Sequence, residues 1–170
     1  MNQTDPRHDT PSIAFIKARW HADIVDRCEQ GFLAELVRRG LDTGRVEVFE
    51  APGAFDIPLL AQRLALSGRF AAVVATGFVV DGGIYRHEFV AATVIEALMR
   101  VQLDTDVPVI SAVLTPQHFR KTERTRRFFL DHFVVKGREA AEACLKIVET
   151  FDRLAGVPVA RDIAPAMAAD

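Results

Sequence analysis

The stretch Ala71-Ala72-Val73-Val74-Ala75-Thr76 carries no charged side chain over its whole length, and its reading decides the fold. A strand with one wet face alternates apolar with polar residues. A run that stays apolar suits a strand covered on both faces, as in a parallel sheet flanked by helices. Ile13-Ala14-Phe15-Ile16 reads the same way. Working outward, four β-rich runs emerge at Ile13 to Lys17, Arg45 to Phe49, Ala71 to Thr76 and Val107 to Leu114, with longer amphipathic segments between them.

Those segments carry helical periodicity. Ile24, Val25, Cys28, Phe32, Leu36 and Val37 keep a 3.6-residue stripe that Gly40 is placed to end. A second helix is predicted over Phe55 to Leu66, after Pro52-Gly53 and before Ser67-Gly68. Pro58 falls in its first turn, where a missing N–H costs nothing. Val90, Ala91, Val94, Leu98 and Val101 define a third stripe, and Ala140, Cys144, Ile147, Phe151 and Leu154 the last. Strands alternating with helices build βαβ units with right-handed crossovers. The predicted architecture is therefore a three-layer α/β/α sandwich with a central four-stranded parallel sheet, of flavodoxin-like type. One domain is expected over residues 13–156, with a flexible N-terminal arm over 1–12 and a loose C-terminal tail over 157–170.

A chain of 170 residues buries roughly 70% of its unfolded surface and needs neither disulfide nor metal to hold a core. Its net charge of -2, with both signs mixed, gives no general attraction to nucleic acid or anionic membrane. Cys28 and Cys144 lie inside apolar helical patterns and read as buried free thiols, and no metal-ligand spacing is present. The polar N-terminus lacks the apolar run of a signal peptide, and no stretch has the ~18 apolar residues of a membrane span. The expected location is the cytoplasm.

In an open parallel sheet, ligands bind beyond the carboxyl ends of the strands. Four loops fall there. The first, Ala18-Arg19-Trp20-His21, holds the only tryptophan, a flat ring able to stack on a heterocycle, to cap the core or to fill a subunit contact. The second, Ala51-Pro52-Gly53-Ala54-Phe55-Asp56-Ile57-Pro58, leaves helix N–H groups facing a polar ligand. Asp56 there suits a hydroxyl, or serves only the helix dipole. The third, Gly77-Phe78-Val79-Val80-Asp81-Gly82-Gly83-Ile84, offers paired glycines as an anion nest or as a plain turn, ahead of Arg86, His87 and Glu88. The fourth runs from Thr115 into a basic cluster, Arg120, Lys121, Arg124, Arg126 and Arg127. Such a cluster is a solvated helix face unless one arginine clamps a phosphate.

Taken in order, these loops resemble those of the lumazine synthase family, over Ile13 to about Leu154. The string Pro52-Gly53-Ala54-Phe55-Asp56-Ile57-Pro58 is the most specific piece, where that family reads PGAFEIP or a close relative. The glycine-rich turn after Gly77, the start of the next helix at Phe89-Val90, Val107-Pro108-Val109-Ile110 and Lys136-Gly137 add order and spacing. The resemblance implies condensation of 5-amino-6-ribitylaminouracil with 3,4-dihydroxy-2-butanone 4-phosphate. The products are 6,7-dimethyl-8-ribityllumazine, phosphate and water, and no cofactor or metal takes part. It implies that Trp20 stacks on the pyrimidine, that Gly53, Ala54, Phe55 and Asp56 hold the ribityl chain, and that Val79 and Val80 offer backbone groups to the pyrimidine edge. It further implies that Gly82, Gly83 and Ile84 form the phosphate turn and that Lys136 lies near the heterocycle.

This sequence departs from the family pattern at informative places. The catalytic histidine position falls on Arg86, with His87 one residue later and about 100° round a helix. Ile84 lacks the hydroxyl common on the phosphate turn, and Ser111 stands where a neighbouring subunit often presents an aromatic ring. The stretch from Gln117 to Val135 is longer than usual, so Arg124, Arg126 and Arg127 all compete for the phosphate role. These departures resemble the second bacterial type of the family, which implies pentamers paired into a decamer and sites shared between subunits. Two other functions are compatible with the fold. One is a lumazine- or flavin-binding protein with little or no catalysis. The other is a flavodoxin-like electron carrier, disfavoured because the first loop lacks a Ser/Thr-rich phosphate cradle.

Overall fold

The computed structural model describes residues 12–84 and 86–155. Four strands, β1 (Ile13–Ala18), β2 (Val46–Ala51), β3 (Ala72–Phe78) and β4 (Val109–Leu114), form one parallel sheet in the order β2-β1-β3-β4. Four helices, α1 (Ala22–Arg38), α2 (Ile57–Leu66), α3 (His87–Thr105) and α4 (Glu123–Leu154), cover its two faces. This is the predicted parallel sandwich. The expected arm over 1–12, apart from Ser12, and the tail over 157–170 lie outside the described residues.

Alternation along the strands sorts the core into two layers. Ile13, Phe15, Ala72, Val74, Phe78 and Ala112 point to the side of α1 and α4. Ala14, Ile16, Ala18, Val73, Ala75 and Val113 point to the side of α2 and α3. All seven residues of β3 are buried, because a central strand between two helical layers has no wet face. Strand β2 lies at the sheet edge and is half-open, with Glu47 and Glu50 exposed.

Local chemistry fixes the helix ends. Gly40 adopts φ +73°, its N–H donates to the Val37 carbonyl, and the Leu41 N–H donates to the Leu36 carbonyl. That pair of bonds ends α1 in a Schellman turn that favours glycine. The second helix is shorter than predicted, since Ala54–Asp56 forms a tight 3₁₀ turn before α2 begins at Ile57. Thr122 caps α4 by accepting a bond from the Thr125 N–H at 3.2 Å. The last helix is longer than its predicted stripe and takes in the basic cluster from Arg124 onward. Val90 and Ile147 of the predicted stripes are half-buried, and Val37, Phe151 and Leu154 are exposed. Each exposed one sits in the last turns of its helix.

Helices α1 and α4 pack parallel and in closest approach through two glycines. A Cβ at Gly31 would overlap the Val134 carbonyl, and one at Gly137 would overlap the Cys28 carbonyl, both far inside van der Waals contact. Cys28 and Cys144 are free thiols in this layer, pushed up by burial to about 11 and about 12, so they stay protonated at neutral pH. At the lower end of the layer, the Glu35 side chain is 1% exposed and accepts from Arg38 at 2.6 and 2.7 Å and from Arg39 at 2.6 Å. Those bonds, Arg38 first, hold its carboxyl down at about 2.

Two outcomes follow. Gly137→Ala sets a methyl against backbone that has no rotamer to yield, so it should cost about 3 kcal/mol or more, at the upper end for overpacking. Urea unfolding reads this directly, and an unchanged midpoint would remove the close-contact argument. Glu35 is depressed in the folded state, so its contribution is full above its ordinary value of 4.5 and is lost as pH falls toward about 2. Glu35→Gln should therefore lower Tm at pH 7, with the gap to wild type closing across that acid window.

Candidate active site

The sheet order places a switch point between β1 and β3, where the chain leaves toward opposite faces, and a ligand crevice opens beyond such a point. The loops after β1, β2, β3 and β4 all meet at this edge. Trp20 is 67% exposed there, so its ring is available to a ligand or a neighbouring chain rather than to the core. A Cβ at Gly53 would stand 3.9 Å from the Trp20 indole nitrogen, which places the first two loops in contact. The Gly53 N–H donates to Asp56 Oδ2 at 2.8 Å, closing the Ala54–Asp56 turn, while Phe55 stays exposed beside it. Trp20, Gly53, Ala54, Phe55 and Asp56 are thus brought together.

The third loop is partly satisfied from within. Gly83 has φ +76°, and its N–H donates to Asp81 Oδ1 at 2.8 Å. The carboxylate of Asp81 therefore takes one donor of the expected anion nest, leaving Gly82 and the exposed Ile84 around it. Val79 donates its N–H to the Leu114 carbonyl at 2.9 Å, so the backbone group it has to offer a ligand is its carbonyl. Val80 is half-buried against the core.

Arg86 stands immediately before α3, and its guanidinium lies 4.4 Å from the Phe89 ring centroid. That contact is a cation–π pair on an exposed ring. His87, one residue on, turns inward to 13% side-chain exposure, with Nδ1 3.6 Å from Glu88. The two candidates diverge where the extended backbone of Arg86 turns into α3, so only Arg86 presents itself at the surface of the edge.

Of the three arginines, Arg126 is committed. It donates to Asp23 at 2.8 and 3.0 Å, tying the start of α4 to the start of α1. Arg124 and Arg127 are exposed and form no ion pair among the described residues. Lys136 lies ten residues beyond Arg126 along α4, about 15 Å by helical rise. There it bonds Glu139 at 2.6 Å. Ser111 is exposed on β4.

Two supporting features escaped the sequence reading. Beneath the first loop, Lys17 bonds Glu29 at 2.5 Å and Asp26 at 3.1 Å. Arg19 grips Asp26 at 2.6 and 3.3 Å and donates its N–H to the Ala51 carbonyl. Arg19 holds Asp26 below the usual carboxylate range. The signal was present in the alternation of Lys17 and Arg19 on one face of β1, opposite Asp26 and Glu29 three apart on α1. The second feature is a ring cluster of His21, Phe78 and Phe119, which joins residues far apart in sequence.

Among the described residues, no cluster of His, Cys, Asp and Glu could hold a metal ion, and no helix is long and apolar enough to cross a membrane. Residues 10–152 match the family model described as 6,7-dimethyl-8-ribityllumazine synthase. The chain is 56% identical over 142 residues to a Rhodococcus erythropolis protein of that name, covering 84% of this chain and 92% of the relative. It is 55% identical over 152 residues to 6,7-dimethyl-8-ribityllumazine synthase 2 of Bradyrhizobium diazoefficiens, covering 89% and 91%. With the protein named synthase 2 in Pseudomonas syringae it shares 54% over 137 residues, 81% of each chain. The fold, the order of the edge loops and these likenesses agree: the chain belongs to the 6,7-dimethyl-8-ribityllumazine synthase family.

Proposed function

We propose that this chain condenses 5-amino-6-ribitylaminouracil with 3,4-dihydroxy-2-butanone 4-phosphate to 6,7-dimethyl-8-ribityllumazine, working mainly by holding the two reactants together. The observation that carries this reading is the contact of Trp20 with the Gly53–Asp56 turn, with Arg86 at the start of α3 on the same edge of the sheet. Trp20 supplies a stacking face for the pyrimidine. Asp56 keeps acceptor capacity beyond its bond to Gly53 for ribityl hydroxyls. An amine and a ketone held in attack geometry gain up to ~7–11 kcal/mol from orientation alone in favourable cases.

Arg86 takes the anionic part of the chemistry. Phe89 is a weak, exposed partner, so the guanidinium can leave it for a phosphate or a developing oxyanion at little cost. A guanidinium is a donor of fixed fork geometry and not the proton shuttle that a histidine can be. The protein is therefore a slow member of its family, lacking the ~10²–10⁴-fold that well-placed acid–base help supplies. Of the basic cluster, Arg124 and Arg127 are better supported as phosphate ligands than Arg126, which Asp23 already holds.

We further propose that the site is completed by a second copy. An adjacent chain then brings a basic side chain of α4 toward the edge that holds Trp20. Leu59 and Leu66 on α2 and Ile95, Met99 and Leu103 on α3 leave an exposed apolar face that a second copy would cover. Pentamers, paired into decamers, are the assembly this reading expects.

A second reading, a lumazine-binding protein with little catalysis, draws on the Asp81 carboxylate in the phosphate turn and on the missing histidine. Lumazine absorbance, followed against a protein-free blank, separates the two. Formation well above the blank, falling at least about tenfold in Arg86→Ala, is expected of the synthase. Trp20→Ala should raise KM for the aminouracil about tenfold, as loss of a base–ring stack of ~1–3 kcal/mol implies. A rate equal to the blank with product still bound would favour the binding protein. Sedimentation of Met99→Glu with Leu103→Glu should show smaller species than wild type, and an unchanged assembly would free that face from the role given to it.

A further inference from the structure

His21 occupies an unusual place. It precedes α1 with φ 55° and ψ 45°, in the left-handed region, and its carbonyl accepts from both the Ile24 and the Val25 N–H. Histidine is among the few side chains that tolerate this backbone. Its ring meets Phe78 edge-on at 5.5 Å and Phe119 at 5.6 Å, and those two meet each other at 5.2 Å. Each ring comes from a different part of the edge. His21 adjoins Trp20, Phe78 ends β3 just before Val79 and Val80, and Phe119 sits in the segment between β4 and α4. Phe129 and Phe133 of α4 extend the cluster to the core.

We propose that His21 is a positioning residue whose neutral ring latches the segment Thr115–Thr122 onto the end of β3 and fixes Trp20 beside it, and that protonation of the ring releases the latch. The charged groups facing it are few. Burial lowers its pKa from the ordinary 6.5, Lys121 on the latched segment lowers it further, and Asp23 on α1 opposes them. Arg126 from α4 engages Asp23 through Oδ2 alone, and Oδ1 stays open on the half-exposed carboxylate. A protonated ring held between Phe78 and Phe119 would have two N–H donors that neither phenylalanine can receive as a carbonyl or carboxylate does, so it must turn out to water and the open Asp23 oxygen and let go of Phe119. The consequence for turnover rests on the reading of the site given above; the ring packing does not.

Trp20 is the only tryptophan of the chain, so its fluorescence reports the latch without any substrate. Lowering the pH of the intact assembly from about 8 to about 4.5 should give one emission transition with its midpoint below 6.5. The transition should vanish in His21→Asn, which keeps a left-handed residue, and persist in His118→Gln, whose exposed ring shares the segment. Phe119→Leu, on the opposite side of the latch, should move the midpoint up toward the ordinary value and covers the case in which His21→Asn does not fold. In turnover, KM should rise several-fold as His21 protonates while kcat changes less, and His21→Asn should show the raised KM at every pH. A flat Trp20 signal in wild type, or an unshifted midpoint in Phe119→Leu, would overturn the latch. A transition with a pH-independent KM would overturn its role in positioning. Absence of lumazine formation by wild type would instead strike the proposed reaction and leave the fluorescence result standing.

Discussion

The geometry of the whole edge depends on how closely α1 can approach α4. Gly31 and Gly137 remove the two Cβ atoms that would hold the helices apart, and the backbone of each meets the side-chain-free face of the other. Helices normally pack with axes 8–10 Å apart, set by the side chains at the contact. Removing those side chains lets α4, at 32 residues the longest helix, lie down along α1 in parallel. The position of its first turn then follows. That turn carries the basic cluster, and Arg126 closes on Asp23 at the top of α1 because the glycines have set the register below.

From that register the site is assembled by short connections. Strand β1 delivers Trp20 within two residues of its end, and α1 begins two residues later, so the indole has no slack. The Lys17–Asp26–Glu29–Arg19 network makes the same corner rigid from beneath. It is half-buried, and each charge has an opposite partner within hydrogen-bond reach, the condition under which buried charge is tolerated. Strand β2 contributes through the Arg19–Ala51 backbone bond, which seats the Pro52–Gly53 turn against the first loop. The glycine turn after β3 has fewer ties: one bond from Gly83 to Asp81 and exposed residues on either side.

Much of this was legible in the sequence, for identifiable reasons. The buried strands were readable because continuous apolar runs admit few alternatives, and Gly40 ended α1 where the stripe ended. The contact of Trp20 with the Gly53–Asp56 turn could be expected because the strand ends of a parallel sheet lie along one edge. What could not be read depends on contacts distant in sequence. No local pattern says that Arg126 reaches Asp23, that Arg86 lies over Phe89, or that Gly137 is small because Cys28 passes behind it. The stripe containing Phe151 and Leu154 was misleading for a related reason. Periodicity reports a helix face, but burial needs a partner, and α1 ends before α4 does.

The exchange of a histidine for Arg86 alters where pH sensitivity can reside. On the proposed reading, Arg86 contributes anion affinity rather than the proton transfer a histidine can give. Asp81 works against that affinity by placing a carboxylate in the turn that would bind phosphate. On the same reading, Arg86 with Arg124 and Arg127 offsets it in part. With the turn capped from within, the loops are held in place by packing rather than by a bound anion. The His21 ring cluster is the part of the edge that does this, and it is also the part built around a group that titrates below neutrality.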